Sequence, residues 1–327
     1  MKRLKTIILV CAVFIAVAAT KAKAESVAPA ESAAQTQSAG PAAPAAPVGH
    51  AAPAEHGLPQ NAQPVGKAGG FLTNSMLVTW VVALAVIGFA RFATRRIQEV
   101  PSGVQNFWEW LVEGLASFLE GILGAKLVKT TFWFFATIFI FILATNWFGL
   151  LPGVGTIGWG VGGEHGFRVV RPLLRGGNAD LNMTFAMAMI FMVCWLVWAL
   201  RFSGVKGTFL HIFGPKGENT GFIKYLMIVV FFAVGFLELI SIAFRPISLS
   251  FRLYGNMFAG ENLLEAMARA VQHPTWARAV ASALLPVPFY FLELLVGLVQ
   301  AFVFMLLTTV FTALICPHEE EHEEAGH

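Results

Sequence analysis

The chain has 327 residues, of which 57% are hydrophobic and only 13% are charged, and its mean hydropathy is +0.68. A water-soluble domain cannot cover so much apolar surface with so few charges, so the composition predicts a polytopic membrane protein. The net charge of +3 is too small to indicate a nucleic-acid partner. The three cysteines are far apart in the sequence and indicate neither a metal site nor a redox site.

The N-terminal region has the pattern of a secretory signal. A basic start is followed by an apolar run over residues 6–19 and by small residues before Glu25. This predicts a cleavable signal peptide over residues 1–24, with an uncleaved membrane anchor as the alternative. Residues 25–67 are rich in Ala and Pro and contain no aromatic residue. They are predicted to form a disordered extracytoplasmic arm.

A polytopic membrane domain is predicted over residues 68–316. Its first three spans are expected at residues 68–90, 130–151 and 181–200, since each is apolar and about 20 residues long. Arginines at 91, 95 and 96 place the end of the first span in the cytoplasm by the positive-inside rule. A Gly-rich loop before the third span also carries arginines, including Arg175, which conflicts with the outer location that this orientation gives it.

Residues 104–123 have a different pattern. Apolar residues recur at helical spacing, whereas Glu109, Glu113 and Glu120 occupy the other side. This predicts an amphipathic helix that lies along the membrane surface or packs against a partner.

Two later segments, 225–268 and 279–316, are much longer than the ~20 residues that one perpendicular span needs. They are predicted to form long, tilted or kinked helices with a polar seam. Glu238, Arg245 and Arg252 are seven residues apart and therefore share one helical stripe, and two further polar residues, Glu293 and Gln300, repeat this interval.

Ionisable residues at bilayer depth cost roughly 3 kcal/mol each on insertion scales, so the default interpretation of this seam is an ion or proton path. Snorkelling to the interface is an equal alternative for Arg245 and Glu265. Gln300 can also be explained by a helix–helix hydrogen bond. Arg252 has neither alternative, because a long apolar stretch precedes it and Glu261, nine residues later, faces nearly the opposite way.

The segment Arg245-Pro-Ile-Ser-Leu-Ser-Phe-Arg-Leu-Tyr-Gly-Asn-Met-Phe-Ala-Gly-Glu261 resembles the signature of subunit a of the F-type ATP synthase. Three other motifs resemble the same family in the same order. They are Asn146-Trp-Phe-Gly-Leu-Leu-Pro152, Ala179-Asp-Leu-Asn-Met-Thr184 and Gln300-Ala-Phe-Val-Phe-Met305. The resemblance covers about residues 70–316 and implies an all-α membrane protein with about five membrane helices.

The resemblance also implies a role for individual residues. Arg252 matches the arginine that faces the carboxylates of the rotating c-ring, and Glu238 matches an acid of the cytoplasmic half-channel. Position 293 is histidine in some relatives. The residues that match the outer half-channel are Glu261, Asn256, Glu293 and Gln300, and those that match its mouth are Asn146 and Asp180.

Further expectations follow from this family. The chain would have no catalytic site, cofactor or metal of its own, and its partners would be the c-ring, the peripheral-stalk subunit b and the lipid bilayer. It would lie in a bacterial-type inner (plasma) membrane with its N-terminus outside, and residues 317–327 would form an acidic cytoplasmic tail.

Two other protein classes were weighed. A secondary transporter also places charges at the membrane midplane, but this sequence has no inverted repeat. A membrane metalloprotease is suggested by His318-Glu-Glu-Glu-His322, which fits H-E-x-x-H. That motif lies within an acidic tail, so a solvated tail is the preferred interpretation.

Overall fold

The structure is a computed structural model that describes residues 73–151, 154, 157–163, 166–213, 222–269 and 284–316. The predicted signal peptide, Ala/Pro-rich arm and acidic tail lie outside these ranges. The helices are α1 (Asn74–Ala93), α2 (Val104–Gly149), α3 (Leu181–Phe202), α4 (Gly204–Phe213), α5 (Phe222–Arg269) and α6 (Val287–Ile315). Two strands, β1 (Gly158–Gly163) and β2 (Gly166–Pro172), lie between α2 and α3.

Five of these helices are long and apolar enough to cross a membrane: α1, α2, α3, α6 and the part of α5 from Val230 to Met267. The predicted all-α membrane fold with five membrane helices is therefore confirmed. The amphipathic segment and the second predicted span are both parts of α2. They meet at a kink at Gly124, whose φ of 73° and ψ of 160° are accessible chiefly to glycine.

Hydrogen bonds fix the start of α1 to the segment before α3. The Thr73 side chain caps the helix by accepting from the backbone N–H of Met76 at 3.3 Å. Ser75 Oγ donates to Asp180 Oδ2 at 2.6 Å, and Asn74 Nδ2 donates to the Pro172 carbonyl at 3.1 Å. Because Asn74, Ser75 and Asp180 are buried, these bonds hold two distant parts of the chain together.

Two elements were not predicted. The Gly-rich loop contains the antiparallel hairpin of β1 and β2, with an irregularity between Trp159 and Gly160. Because the loop contains many glycines, it lacks the alternation of apolar and polar residues by which strands are recognised in a sequence. Helix α4 has only ten residues and begins at Gly204, whose φ is 68°. Its sequence therefore indicates a loop between two membrane helices.

The apolar core lies between α2, α3 and α6. Phe134, Phe191 and Trp198 form part of it, with ring centroids 5.5 to 6.3 Å apart around Phe134. Helix α5 is much more exposed. In its most apolar stretch 17% of the residues are buried, compared with 56% in that of α2. A long face of α5 is therefore open to lipid or to a partner.

Candidate functional site

Two glutamates from different helices meet beside the α5 backbone. A side-chain carbon at Gly260 would overlap the carboxyl group of Glu293, so that group lies directly against α5. Glu293 comes from α6 and is only 4% exposed. Glu261, the residue after Gly260, interacts electrostatically with both Glu293 and Glu265. We call Glu261, Glu265 and Glu293 the acidic cluster.

The segment before α3 packs against the acidic cluster through glycines. The backbone N–H of Gly176 donates to the Glu261 carboxylate. A side chain at Gly176 would overlap that carboxylate, and one at Gly149 would lie 3.3 Å from the Gly176 Cα. Because neither glycine has a side chain, the end of α2 and the segment before α3 can both approach Glu261 closely.

Arg175 is the charged residue that sequence analysis missed. It is 2% exposed and interacts electrostatically with Glu261. Its Nη2 donates to the Ala179 carbonyl at 3.2 Å, and its guanidinium carbon lies 5.9 Å from the centroid of the Phe258 ring. The only sign of this role in the sequence was that Arg175 lies in a loop predicted to be outside, against the positive-inside rule. Burial beside an acid accounts for an arginine at that position.

Asn146 joins α2 to α6 close to Glu293. It is fully buried, and its Nδ2 donates to the Gly297 carbonyl, one turn after Glu293, at 2.9 Å. Its Oδ1 accepts from Asn178 Nδ2 at 2.6 Å. The predicted mouth residue Asn146 therefore lies at the packed junction of three segments, and Asn178 is a second polar residue that sequence analysis missed.

Asp180, the other predicted mouth residue, has hydrogen bonds to both carboxylate oxygens. Oδ1 accepts from the backbone N–H of Asn182 at 3.1 Å and caps α3, while Oδ2 accepts from Ser75. It follows Asn178 in the segment that approaches Glu261. Asp180 therefore caps α3 and joins it to α1, in the segment that leads to the acidic cluster.

The acidic cluster contains oxygens without a hydrogen-bond donor. Glu261 Oε2 and Glu293 Oε1 are buried and have no hydrogen-bond partner among the described residues. Leaving a buried polar group unsatisfied typically costs about 1–3 kcal/mol. Carboxyl groups in this condition suit a site that exchanges protons with water or with a partner.

Arg252 has a different environment from the acidic cluster. Arg252 and Asn256 are exposed, whereas Leu253 and Met257, which follow them in the sequence and lie on an adjacent face of α5, are buried. An arginine exposed in the middle of an apolar helix needs a polar partner or water at that depth. The exposed face around Arg252 is therefore a candidate contact surface.

Arg245 is two turns before Arg252 but is enclosed by aromatic rings. Its guanidinium carbon lies 4.4 Å from the ring centroid of Phe311 and 5.6 Å from that of Trp195. Trp195 Nε1 donates to the Phe311 carbonyl at 3.0 Å and fixes this pair. Arg245 also interacts electrostatically with Glu238, which is half-buried. Cation–π contacts thus hold Arg245 within the protein, whereas Arg252 is exposed.

The remaining predicted residue, Gln300, is half-buried on α6, two turns after Glu293. Among the described residues no group of three or more His, Cys, Asp and Glu side chains could hold a metal ion. The His318–His322 motif lies outside the described ranges.

Comparison with known proteins identifies the family. Residues 76–313 match the family model for the ATP synthase A chain. An ATP synthase subunit a from Gloeobacter violaceus is 33% identical over 249 residues, which cover 76% of this chain and 86% of that protein. One from Mycobacterium tuberculosis is 30% identical over 253 residues, covering 76% and 89%. The four motifs, the five membrane helices and these matches agree, and the chain belongs to the ATP synthase A chain family.

Proposed function

We propose that this chain carries protons to and from the c-ring of an F-type ATP synthase through two half-channels that are separated at Arg252. Membership of the family makes the chain a membrane-sector subunit of that complex, the stator subunit of its proton channel, without a catalytic site of its own. The observation that carries the proposal is a contrast in exposure: Glu293 of the acidic cluster is buried and Glu261 is half-buried, whereas Arg252, on the same helix as Glu261, is exposed.

The acidic cluster forms the inner part of the proposed outer half-channel. The Glu293 carboxyl lies against Gly260, the neighbour of Glu261, and each of the two glutamates has a buried oxygen for which the described residues supply no donor. Closely spaced carboxyl groups can pass a proton between them, directly or through one water. The other residues of this path are the exposed Asn256 and the half-buried Gln300, with Asn146 and Asp180 toward the mouth.

Arg252 separates the two half-channels in this proposal. A ring carboxylate that receives a proton becomes neutral and can then enter lipid without the desolvation penalty of a charge. When it returns to the stator, the positive charge of Arg252 favours its ionised form and releases the proton into the other half-channel. Arginine suits this task because it stays charged at any accessible pH.

Glu238 belongs to the proposed cytoplasmic half-channel. Glu238 is half-buried and lies two turns before Arg245, which in turn lies two turns before Arg252. The three residues therefore follow one another along α5. Arg245 interacts with Glu238 and is enclosed by Trp195 and Phe311. The aromatic enclosure explains why Arg252, and not Arg245, is available to the ring.

Orientation and the stalk partner complete the proposal. We assign the end of α1 to the cytoplasm and the N-terminus to the outside, because arginines follow the first span. The first part of α2 exposes Phe107 and Trp110, of which Trp110 is 68% exposed, beside its glutamates. We assign this surface to the peripheral-stalk subunit b, because an acidic helix face is poorly suited to anionic lipid.

Thiol labelling tests the two half-channels directly. Glu238, Glu261 and Glu293 would each be replaced by Cys in a chain whose three natural cysteines are Ala. A membrane-impermeant thiol reagent reacts only with thiols that water reaches. We expect the thiols at 261 and 293 to react from the extracytoplasmic side, and the thiol at 238 to react from the cytoplasmic side.

The comparison uses right-side-out and inverted vesicles with equal amounts of assembled complex. A Cys at Val193, an exposed apolar position of α3, serves as the lipid-facing control and should react from neither side. Reaction of all three test positions from a single side would contradict the assignment of two half-channels.

A further inference from the structure

We propose that Arg175 is a positioning residue of the outer half-channel: its fixed charge balances the acidic cluster and keeps the Glu261 carboxylate in place for proton exchange. This inference rests on the proposed function, because it assigns a role within that path. Arg175 lies outside α5 and α6, in the segment that follows the β-hairpin.

Charge balance within the acidic cluster supports this role. Three glutamates lie close together, and Glu293 is almost completely buried. Repulsion between carboxylates in a poorly solvated site disfavours their simultaneous ionisation. Arg175 is itself 2% exposed and directly precedes Gly176, which lies against the Glu261 carboxylate, so it supplies a compensating positive charge inside the protein. Breaking such a buried arrangement by removing one charge is strongly unfavourable.

Arg175 is held by contacts within the protein. Its Nη2 donates to the Ala179 carbonyl, and its guanidinium faces the Phe258 ring. Neither of these groups gains or loses a proton, so both contacts persist while the glutamates titrate. The adjacent Gly176 N–H donates to Glu261. Arg175 and Gly176 thus bring a fixed charge and a fixed donor to one carboxylate from the same short segment.

The test measures ATP-driven proton pumping in inverted vesicles, normalised to the amount of assembled complex. We expect Arg175→Gln to lower the rate by about tenfold, because a buried charge is left uncompensated. Arg175→Lys should retain a larger fraction of the rate, since it keeps the charge but loses the planar donor geometry. Arg201→Gln, which removes an exposed arginine at the end of α3, is the matched control and should pump normally.

A charge-balance experiment separates this role from simple packing. The double variant Arg175→Gln with Glu265→Gln removes one positive and one negative charge. We expect its pumping rate to recover to within about threefold of the rate of Glu265→Gln alone. A residue that acted only through packing or through its bond to Ala179 would show no such recovery. If Arg175→Gln did not assemble, the Lys variant and the double variant would still decide the question.

Two results would overturn the inference. They are normal pumping by assembled Arg175→Gln, and a double variant no better than Arg175→Gln. Arg252→Gln is measured in parallel, because it tests the proposed function itself. Loss of pumping in Arg252→Gln together with normal pumping in Arg175→Gln would reject only the role of Arg175, whereas normal pumping in Arg252→Gln would reject the proposed function.

Discussion

Replacement of Arg252 by Gln should abolish both ATP synthesis and ATP-driven proton pumping while the complex still assembles. Two opposite charges about 4 Å apart interact by about 4 kcal/mol at an effective dielectric constant of 20, which is roughly a thousandfold in an equilibrium. Without that interaction, ring carboxylates would pass the stator in their protonated form and no proton would be released. Because Arg252 is exposed, its replacement leaves no cavity in the core.

Arg252→Lys should also fail, though less completely, because a poorly solvated ammonium can lose its proton and lacks the planar fork of donors. The measurement is proton flux in inverted vesicles, with Arg201→Gln as the control for loss of an arginine. Leu253→Ala would be a poor control, since Leu253 is 1% exposed and its truncation would leave a cavity. Coupled pumping at a near-normal rate in assembled Arg252→Gln would show that this arginine does not separate the half-channels.

Gly260→Ala should lower proton flux by about tenfold or more without preventing assembly, because it displaces the Glu293 carboxyl from its place against α5, next to Glu261. The added methyl group would overlap the Glu293 carboxyl, which is the flexible end of its side chain and can move away. The helix itself gains a residue of higher helix propensity, so α5 should remain intact. The expected loss is therefore in proton transfer between Glu293 and Glu261.

The matched control for this variant is Gly88→Ala, since nothing lies within 4 Å of the added carbon at Gly88. Combining Gly260→Ala with Glu293→Asp shortens the displaced side chain by one methylene, and we expect partial recovery relative to Gly260→Ala. Pumping by Gly260→Ala at the rate of Gly88→Ala would mean that the contact between the carboxyl and α5 has no role in proton flux.

The helices could be predicted from the sequence, and Arg252 could be singled out as a candidate, because both depend on patterns within one segment. Apolar length predicts the spans, and Arg252 stands out as a charge that no neighbouring residue can neutralise. The seven-residue spacing placed Arg245 on the same stripe. It could not show that Trp195 and Phe311, from two other helices, enclose Arg245.

The acidic cluster could be predicted only in part. Glu261 and Glu293 were both identified, but their proximity depends on how α5 packs on α6, and no spacing within one helix reports that. Arg175 lies in a segment without helical or strand periodicity, so it carried no pattern to interpret. Gly260 and Gly176 look ordinary in the sequence, and their importance follows only from the carboxyl groups that lie against them.

A site-specific cross-link tests most directly whether the face of α5 around Arg252 contacts the ring, as we propose. A photoreactive amino acid would replace Phe251, which is 54% exposed beside Arg252, or Leu84, which is 67% exposed on α1. We predict that the probe at 251 forms adducts with the ring subunit, on the helix that carries its membrane-embedded carboxylate, and that the probe at 84 does not. Ring adducts from position 84 but none from position 251 would contradict the account.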